Sequence, residues 1–351
     1  MTTIAVIGCG RISDNAHFPS LQKMEDVRVK YACDILIEKA NKMKEKYPFI
    51  EQTVADYKVV LQDEEVEAVF VLTPNYTHYV ITMDALKAGK HVFCEKPITT
   101  NYKLSVQMAK EAKKQGKVLD IGVCNRYYTA VETMRKWVEE GKFGDVYHVY
   151  VSFRACRSIP GLGGAFTTKA ESGGGVLIDW GVHFLDIVLY VLGGAKLKTV
   201  TCNAYTALAK DMKSYKYKKM WAEDTKNVET GVNDVDDFIS GHIRTDKASI
   251  SFNGAWAQNI EKNEQYIDIL GDKAGARFYY WDKFEFFDGD TLETTIPDTD
   301  GPDMRYLEDR AFIDSIKSGE VNRNRIDKVL ETMRLLDTLY KSSDKQKEIK
   351  L

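Results

Sequence analysis

Two polar side chains suited to proton transfer stand four residues apart, at Asp179 and His183. A spacing of four residues places both side chains on one face of a helix. Because the unperturbed pKa of histidine is about 6.5, His183 suits a proton acceptor, and Asp179 could orient it or bind a neighbouring hydroxyl. An aspartate near a helix start followed by a hydrogen-bonded core histidine gives the same pattern, so that alternative stays open. No third ligand accompanies the pair, and we predict no metal site.

A glycine turn follows the apolar run Ile4-Ala5-Val6-Ile7 and reads Gly8-Cys9-Gly10-Arg11-Ile12-Ser13. The run is typical of a buried parallel strand, and G-x-G-x-x-S approximates the fingerprint of a dinucleotide site. Gly8 would permit a tight turn, Gly10 would let the backbone approach a pyrophosphate, and Ser13 would let the helix pack near the strand. The helix N–H groups would then face the phosphate charge. A purely structural turn is the alternative.

An acidic residue, Asp34, ends the second predicted strand, Val27 to Cys33. An acidic group about 20 residues after the glycine turn typically binds the adenosine ribose hydroxyls. Because a carboxylate there repels a 2′-phosphate, we predict NAD rather than NADP as the cofactor. The alternative is a surface aspartate that merely ends a strand.

A lysine, Lys96, follows the apolar run His91 to Cys94 within the sequence Glu95-Lys96-Pro97. A partly desolvated lysine beside a cationic nicotinamide could polarise a substrate hydroxyl or shuttle its proton. A surface lysine after a strand is the alternative. The arginines Arg126, Arg154 and Arg157 are weaker candidates for binding an anionic substrate.

The elements that position these residues alternate between strand and helix up to about residue 124. Apolar strands at 66–72, 91–94 and 118–123 alternate with helices at 36–47, 79–88 and 103–115, which predicts a doubly wound parallel sheet. Residues just past strand ends, Thr73 (in Thr73-Pro74-Asn75), Lys96 and Asn125, should then share one crevice. We predict an NAD-binding Rossmann domain at 1–124.

The rhythm changes to consecutive strands after residue 145. Alternating runs near 146–153, 197–204, 237–243, 248–252, 265–270 and 276–280 predict an α/β domain at 125–351 with an open, mostly antiparallel sheet. An apolar helix at 176–192 follows Gly173-Gly174-Gly175, and helices at 310–316 and 328–341, which could pack back on the first domain, close the chain. A polar, lysine-rich segment at 207–234, which includes Lys219, predicts a solvated excursion.

The composition is that of an ordinary globular protein. The 351 residues are 44% hydrophobic and 29% charged, with a net charge of −3, which does not favour a nucleic-acid or anionic-membrane partner. The N-terminus carries no secretory pattern, and the longest apolar stretch is interrupted by charged side chains. Six scattered cysteines without metal spacing fit a reduced, cytoplasmic compartment.

Taken together, these motifs resemble the glucose-fructose oxidoreductase / inositol 2-dehydrogenase / MocA (Gfo/Idh/MocA) family. The resemblance runs the whole length of the chain. It is carried by G-C-G-R-I-S at 8–13, Asp34, T-P-N-Y-T-H at 73–78, C-E-K-P at 94–97, G-G-G-V-L-I-D-W-G-V-H at 173–183, V-D-D-F at 235–238 and D-I-L-G-D-K-A-G-A at 268–276.

The resemblance implies an NAD(P)-dependent oxidoreductase of the sugar or polyol dehydrogenase type, built as a homo-oligomer, either a dimer or a tetramer. Lys96 and His183 match the family's catalytic lysine and histidine, and Asp179 matches the accompanying carboxylate. In the family, the proline that follows the catalytic lysine, here Pro97, is commonly in the cis form. Cofactor contacts are implied for the set Gly8, Gly10, Arg11, Ile12, Asp34, Thr73, Pro74, Asn75, His78, Glu95 and Lys96. Arg126, Tyr127 and Trp180 are weaker substrate candidates, because the family's usual R-F-x-P reads Arg126-Tyr127-Tyr128-Thr129 here.

Three functions fit these observations. The first is oxidation of a secondary hydroxyl of a sugar, inositol or related polyol to a ketone, or the reverse reaction, with hydride passing to nicotinamide. The second is a glycosidase or epimerase that recycles NAD through a transient keto-sugar. The third is a non-catalytic nucleotide or sugar sensor, which would not need to retain Lys96, Asp179 and His183 together.

Overall fold

The structure, a computed structural model, describes residues 1–218, 220 and 222–351. The chain forms two compact units: Met1–Tyr127 with Pro302–Glu331, and Tyr128–Gly301 with Thr332–Leu351. Lys219, in the predicted solvated excursion, lies outside the described residues.

The elements have the following bounds. The strands are β1 (Thr2–Ile7), β2 (Val27–Cys33), β3 (Gln52–Val54), β4 (Ala68–Val71), β5 (His91–Glu95), β6 (Leu119–Gly122), β7 (Val146–Cys156), β8 (Leu197–Tyr205), β9 (Phe238–Thr245), β10 (Ser249–Gln258), β11 (Glu264–Gly271), β12 (Ala274–Tyr279), β13 (Phe284–Asp288), β14 (Thr294–Thr295) and β15 (Ile349–Lys350). The α-helices are α1 (Phe18–Leu21), α2 (Ile37–Lys46), α3 (Tyr57–Gln62), α4 (Asn75–Lys87), α5 (Tyr102–Gln115), α6 (Thr129–Glu139), α7 (Lys169–Ser172), α8 (Val182–Val191), α9 (Met304–Ser318) and α10 (Ile326–Lys345).

The first unit contains the predicted parallel sheet, in the order β3-β2-β1-β4-β5-β6. All five strand pairs are parallel. The central strands β1 and β4 are buried along their whole length, as near-continuous apolar runs predict. The prediction of a Rossmann-type doubly wound sheet is confirmed. The carboxyl ends of β1, β2, β4, β5 and β6 therefore share one edge.

Two details of the first unit differ from the sequence-based expectations. Helix α4 begins at Asn75 rather than near residue 79, because Pro74 stands at its N-cap, where proline's missing N–H leaves no intrahelical bond unmade. Strand β3 and helix α3 are not predicted from the sequence. At three and six residues they are too short to give a clear periodic pattern.

The second unit contains a sheet in the order β14-β13-β12-β11-β7-β10-β9-β8-β15. Its one parallel pair is β7 with β10, and the remaining neighbours are antiparallel. The prediction of a mostly antiparallel sheet is confirmed, and the one parallel pair makes the sheet mixed. Val149, Val151 and Phe153 of β7 lie buried on its inner face, as period-two alternation requires.

The apolar helix predicted at 176–192 is not uniform. A π-helical segment, Leu177–Gly181, comes first, and the α-helix α8 follows it. Among the described residues the stretch Lys169–Val191 alone has the length and hydropathy of a membrane span, yet 83% of its most apolar window is buried inside the fold. It is thus built as a core element, with Asp179 in the π-helical segment.

Candidate active site

The turn after β1 depends on a backbone contact that only glycine allows. Gly8 has φ of +101°, and a Cβ there would lie 2.5 Å from the carbonyl oxygen of Leu72. Gly10 differs, because a Cβ on it would meet no atom within 4 Å. The fold therefore requires Gly8, whereas Gly10 leaves open space beside the turn, which is where a phosphate-bearing ligand needs close access to the backbone.

The chain is helical directly after this turn: Arg11 and Ile12 lead into a π-helical segment, Ser13–His17, which continues into α1. The Gly10 carbonyl accepts bonds from the Asp14 N–H at 3.2 Å and the Ser13 hydroxyl at 2.7 Å. Ser13 is fully buried, whereas Arg11 and Ile12 retain exposure at the helix start. The early N–H groups of this helix are suited to an anion.

Asp34 lies against the glycine turn. Its Oδ2 accepts the Cys9 N–H at 2.9 Å and its Oδ1 accepts the Leu36 N–H at 2.9 Å. Two apolar side chains directly after it, Ile35 and Leu36, are 87% and 52% exposed. The end of β2 thus places a fixed carboxylate and an uncovered apolar surface beside the turn.

His78 joins the end of β4 to the segment that carries Lys96. Its Nδ1 lies 2.8 Å from the Pro97 carbonyl oxygen, and its Nε2 lies 2.8 Å from the Thr73 carbonyl oxygen. Because carbonyl oxygens only accept, both bonds form when the ring is an imidazolium. Burial alone lowers the pKa of His78, but the contributions of Cys94 and these carbonyl groups outweigh it and raise the pKa to about 9. The Lys96–Pro97 peptide is cis.

Glu95 fixes the backbone of Lys96 from the other side. The Lys96 N–H donates to Glu95 Oε2 at 2.9 Å. The carboxylate has room only because residue 122 is glycine, where a Cβ would lie 2.8 Å from the Glu95 Cδ. Lys96 is half-buried at the carboxyl end of β5, next to Thr73 after β4, and Asn125 follows β6. The three residues predicted to share a crevice therefore follow adjacent strands at one sheet edge.

Behind Glu95 lies a buried charge cluster that the sequence analysis did not find. His17 is 0% exposed, with Nε2 3.2 Å from Glu95 Oε1 and Nδ1 2.9 Å from Asp309 Oδ1. Burial lowers the pKa of His17, but Asp309 and Glu95 outweigh it and raise the pKa to about 10. Burial and the neighbouring carboxylates raise the pKa of Glu308 well above its usual value, which favours its neutral acid form.

In the second unit, Asp236 holds the start of the segment that carries the other candidates. Its carboxylate accepts the Gly175 N–H at 2.8 Å, the Leu177 N–H at 3.0 Å and the Tyr340 hydroxyl at 2.8 Å. A Cβ on Gly175 would lie 1.9 Å from the Asp236 carbonyl oxygen, and one on Gly174 would lie 2.2 Å from the Tyr340 hydroxyl oxygen. The V-D-D-F and G-G-G motifs therefore interlock, which explains both.

Asp179, Trp180 and His183 interrupt an otherwise buried surface. These side chains are half-buried, whereas residues 174–178 and 184–188 are buried. The Trp256 indole N–H donates to Asp179 Oδ2 at 3.2 Å. Asp179 and the predicted proton acceptor His183 therefore both keep partial solvent access on one strip of this unit.

Arg126 and Tyr127 occupy a different environment from the one their substrate role would require. Arg126 is buried, and its guanidinium donates to the carbonyl oxygens of Arg323 at 2.7 Å and Lys328 at 3.0 Å. The Arg323 guanidinium lies over the Tyr127 ring, 4.6 Å from its centroid. Both side chains hold the chain segment after β6.

This fold and site define a class of protein. The parallel strand order, the glycine turn and the strand-end aspartate are those of a Rossmann domain. Residues 2–123 match the oxidoreductase family with an NAD-binding Rossmann fold, and residues 131–277 match the GFO/IDH/MocA C-terminal domain. The chain is an oxidoreductase and belongs to the Gfo/Idh/MocA family, as the sequence motifs indicate.

One relative matches over almost the full length of the chain, and others match over part of it. It is 29% identical to the D-glucoside 3-dehydrogenase of Escherichia coli strain K12 over 351 residues, which are 99% of this chain and 97% of the relative. It is 29% identical to the myo-inositol 2-dehydrogenase of Thermotoga maritima over 190 residues, 54% of each chain. A levoglucosan dehydrogenase solved with NADH and levoglucosan shares the fold, with a TM-score of 0.85 at 19% identity over 100% of this chain and 99% of that one.

The His17 cluster predicts a pH-dependent stability. The pKa of His17 rises from 6.5 to about 10 on folding, so its contribution is fully present below about pH 6.5 and is lost as pH rises through about 10. Replacing His17 with Gln should cost roughly 3–5 kcal/mol near pH 6.5, the usual scale for breaking a buried ion pair. Urea unfolding of the wild type and of His17→Gln should show that the difference in their free energies of unfolding shrinks toward pH 10. A gap that stays constant or widens would contradict the buried imidazolium.

Asp236 gives a second stability prediction. Asp236→Ala leaves two buried N–H groups and the Tyr340 hydroxyl without their acceptor, so we expect a loss of at least about 2 kcal/mol in the free energy of unfolding. Tyr340→Phe is the matched control, because it removes only the bond from the Tyr340 hydroxyl and leaves Asp236 to accept both N–H groups. It should cost about 1 kcal/mol. Equal losses of unfolding free energy in the two variants would argue against the role of Asp236 in holding this segment.

Proposed function

We propose that this chain is an NAD-dependent dehydrogenase that oxidises a secondary ring hydroxyl of a sugar, glycoside or related polyol to a ketone, or catalyses the reverse reduction. The observation that carries the proposal is the retention, in folded and accessible positions, of Lys96 after β5 and of Asp179 and His183 on one strip. A sensor would need no proton-transfer set. The full-length similarity to a D-glucoside dehydrogenase makes glucosides the first substrates to test.

The residues of the first unit fit a dinucleotide. The open side of Gly10 admits a pyrophosphate, and the helix N–H groups after it complement the charge. The Asp34 carboxylate suits two ribose hydroxyls, and the exposed side chains of Ile35 and Leu36 suit an adenine ring. Thr73, Pro74 and Asn75, at the start of α4, and Glu95 with Lys96, at the end of β5, suit the nicotinamide half. His78 holds the Thr73 and Pro97 carbonyl groups in place.

When bound, nicotinamide would accept a hydride at its C4 from the carbon that bears the substrate hydroxyl. His183 accepts the hydroxyl proton as the C–H bond breaks, and the Lys96 ammonium donates a hydrogen bond to the same oxygen. Asp179 accepts a bond from an adjacent hydroxyl or orients His183. In this proposal the first unit serves the cofactor and supplies Lys96, and the second unit supplies Asp179 and His183 for the substrate.

An NAD-recycling glycosidase or epimerase would use the same residues, and an assay separates it from a dehydrogenase. The purified chain is mixed with NAD or NADP and a panel of glucosides, free sugars, inositols and nucleotide sugars while absorbance at 340 nm is followed. We expect NADH to accumulate with one substrate group. Cleaved or epimerised product without NADH would favour the recycling enzyme, and tight cofactor binding without any product would favour a sensor.

We also propose that the chain assembles as a dimer or tetramer and works in the cytoplasm. The second unit exposes Tyr147, Tyr150 and Tyr205 from its sheet strands, and large side chains of this kind favour association. The cytoplasmic location is supported by the six cysteines, which form no disulfide. Analytical ultracentrifugation measures the assembly, and a monomer at micromolar concentration would remove this part of the proposal.

Removing the proton-transfer groups gives the first functional prediction. Lys96→Ala and His183→Ala should each lower kcat by about 100-fold or more, the usual scale for acid–base groups, while the NAD dissociation constant measured by calorimetry changes little. Lys103→Ala and His242→Ala remove the same residue types elsewhere in each unit and should retain activity. Normal turnover by either site variant would contradict its assignment.

Cofactor choice gives the second functional prediction. Asp34→Ser removes the charge that repels a 2′-phosphate, so the ratio of kcat/KM for NADP to that for NAD should rise about tenfold or more, which corresponds to about 1.4 kcal/mol. Glu65→Gln is the control, because it removes a negative charge that pairs with Arg28 near the start of β2, away from the carboxyl edge. An unchanged ratio in Asp34→Ser would contradict this role.

A further inference from the structure

We propose that Trp256 is a positioning residue that fixes the Asp179 carboxylate for substrate binding. The inference rests on the proposed role of Asp179. Its starting observation is the hydrogen bond from Trp256 Nε1 to Asp179 Oδ2, at 3.2 Å. An indole N–H can only donate, so the contact serves a carboxylate oxygen in the acceptor role.

The indole is anchored rather than adjustable. Trp256 is 1% exposed, one of the largest fully buried side chains in the described part of the chain. It follows Ile250, Phe252 and Gly254 along the inner face of β10. A Cβ on Gly254 would lie 1.9 Å from the Phe153 ring, so glycine is required for this close packing. The buried ring therefore gives its N–H one direction.

The backbone of Trp256 is held on both sides. Its N–H donates to the Asp237 carbonyl oxygen at 2.9 Å, and its own carbonyl accepts the Ser158 N–H at 2.8 Å. The pairing of β10 with β7 also shifts register between Ala255 and Gln258, where one extra residue enters β10. Such bulges occur next to active sites, where they redirect side chains.

Trp256, the donor, and Asp179, the acceptor, are both held by the same two neighbouring residues, Asp236 and Asp237. The Asp236 side chain caps the segment that carries Asp179, and the adjacent Asp237 carbonyl holds Trp256. The indole and the carboxylate are therefore both tied to residues 236 and 237. With Oδ2 held by the indole, the Asp179 carboxylate keeps one orientation, which reduces the entropy lost when a substrate binds to it.

The expected consequence is a change in substrate binding rather than in cofactor binding. Trp256→Phe keeps most of the aromatic volume and removes the N–H. It should raise KM for the sugar or polyol substrate about tenfold and lower kcat by less, with KM for NAD unchanged. Trp137→Phe is the matched control: Trp137 packs against Phe284 and Phe286 in the same unit and should behave as wild type.

A double-mutant cycle separates positioning from a merely structural role. If Trp256 acts through Asp179, adding Trp256→Phe to Asp179→Ala should change KM by less than about twofold. If the two effects multiply, or if Trp256→Phe matches Trp137→Phe, the inference is overturned. Should Trp256→Phe fold poorly in thermal unfolding, benzothienylalanine at position 256 preserves the bicyclic ring without the N–H and gives the same readout.

The proposed function fails in a different way. If Asp179→Ala retains the wild-type KM and kcat, the role of Asp179 is lost and the inference falls with it. If Asp179→Ala is impaired while both position-256 variants bind substrate normally, only the inference about Trp256 is overturned.

Discussion

In both units, a helical segment of the candidate site begins where a backbone carbonyl occupies the place of a glycine Cβ. In the first unit the Leu72 carbonyl lies against Gly8, and in the second the Asp236 carbonyl lies against Gly175. Any larger residue would separate these backbones, move the start of the following helical segment and misplace the groups on it. The glycine turn in the first unit, and the segment with Asp179 and His183 in the second, depend on these two contacts.

Buried charge then fixes the segment around Lys96. Two fully buried histidines, His17 and His78, lie on either side of Glu95-Lys96-Pro97, and their neighbours raise the pKa of both. His17 holds the Glu95 carboxylate, which accepts the Lys96 N–H, while His78 holds the Pro97 carbonyl. An ammonium group on Lys96 thus extends from a backbone fixed by hydrogen bonds at both ends. This arrangement suits a group that must meet a substrate oxygen with fixed geometry.

The sequence predicts elements whose patterns are local. The apolar run before Gly8, the strand that ends at Asp34 and the alternating strands after residue 145 all appear in the structure near the predicted bounds. The family motifs could also be read directly. Side chains whose partners lie far away in sequence could not be assigned, because His17 meets Asp309 across 292 positions. For Asp236 and Trp256 the available signals were the V-D-D-F motif and a tryptophan within a strand, and neither names a partner.

The most direct test of the account follows the hydride itself. A glucoside and an inositol, each deuterated at its ring carbons, are incubated with NAD and the wild-type chain or the His183→Ala variant, and the nicotinamide is analysed by NMR. We expect deuterium at nicotinamide C4 with wild type and almost none with the variant over the same time. Calorimetric binding of NAD by the wild type without any deuterium transfer from either substrate class would contradict the assignment as a dehydrogenase of sugars and polyols.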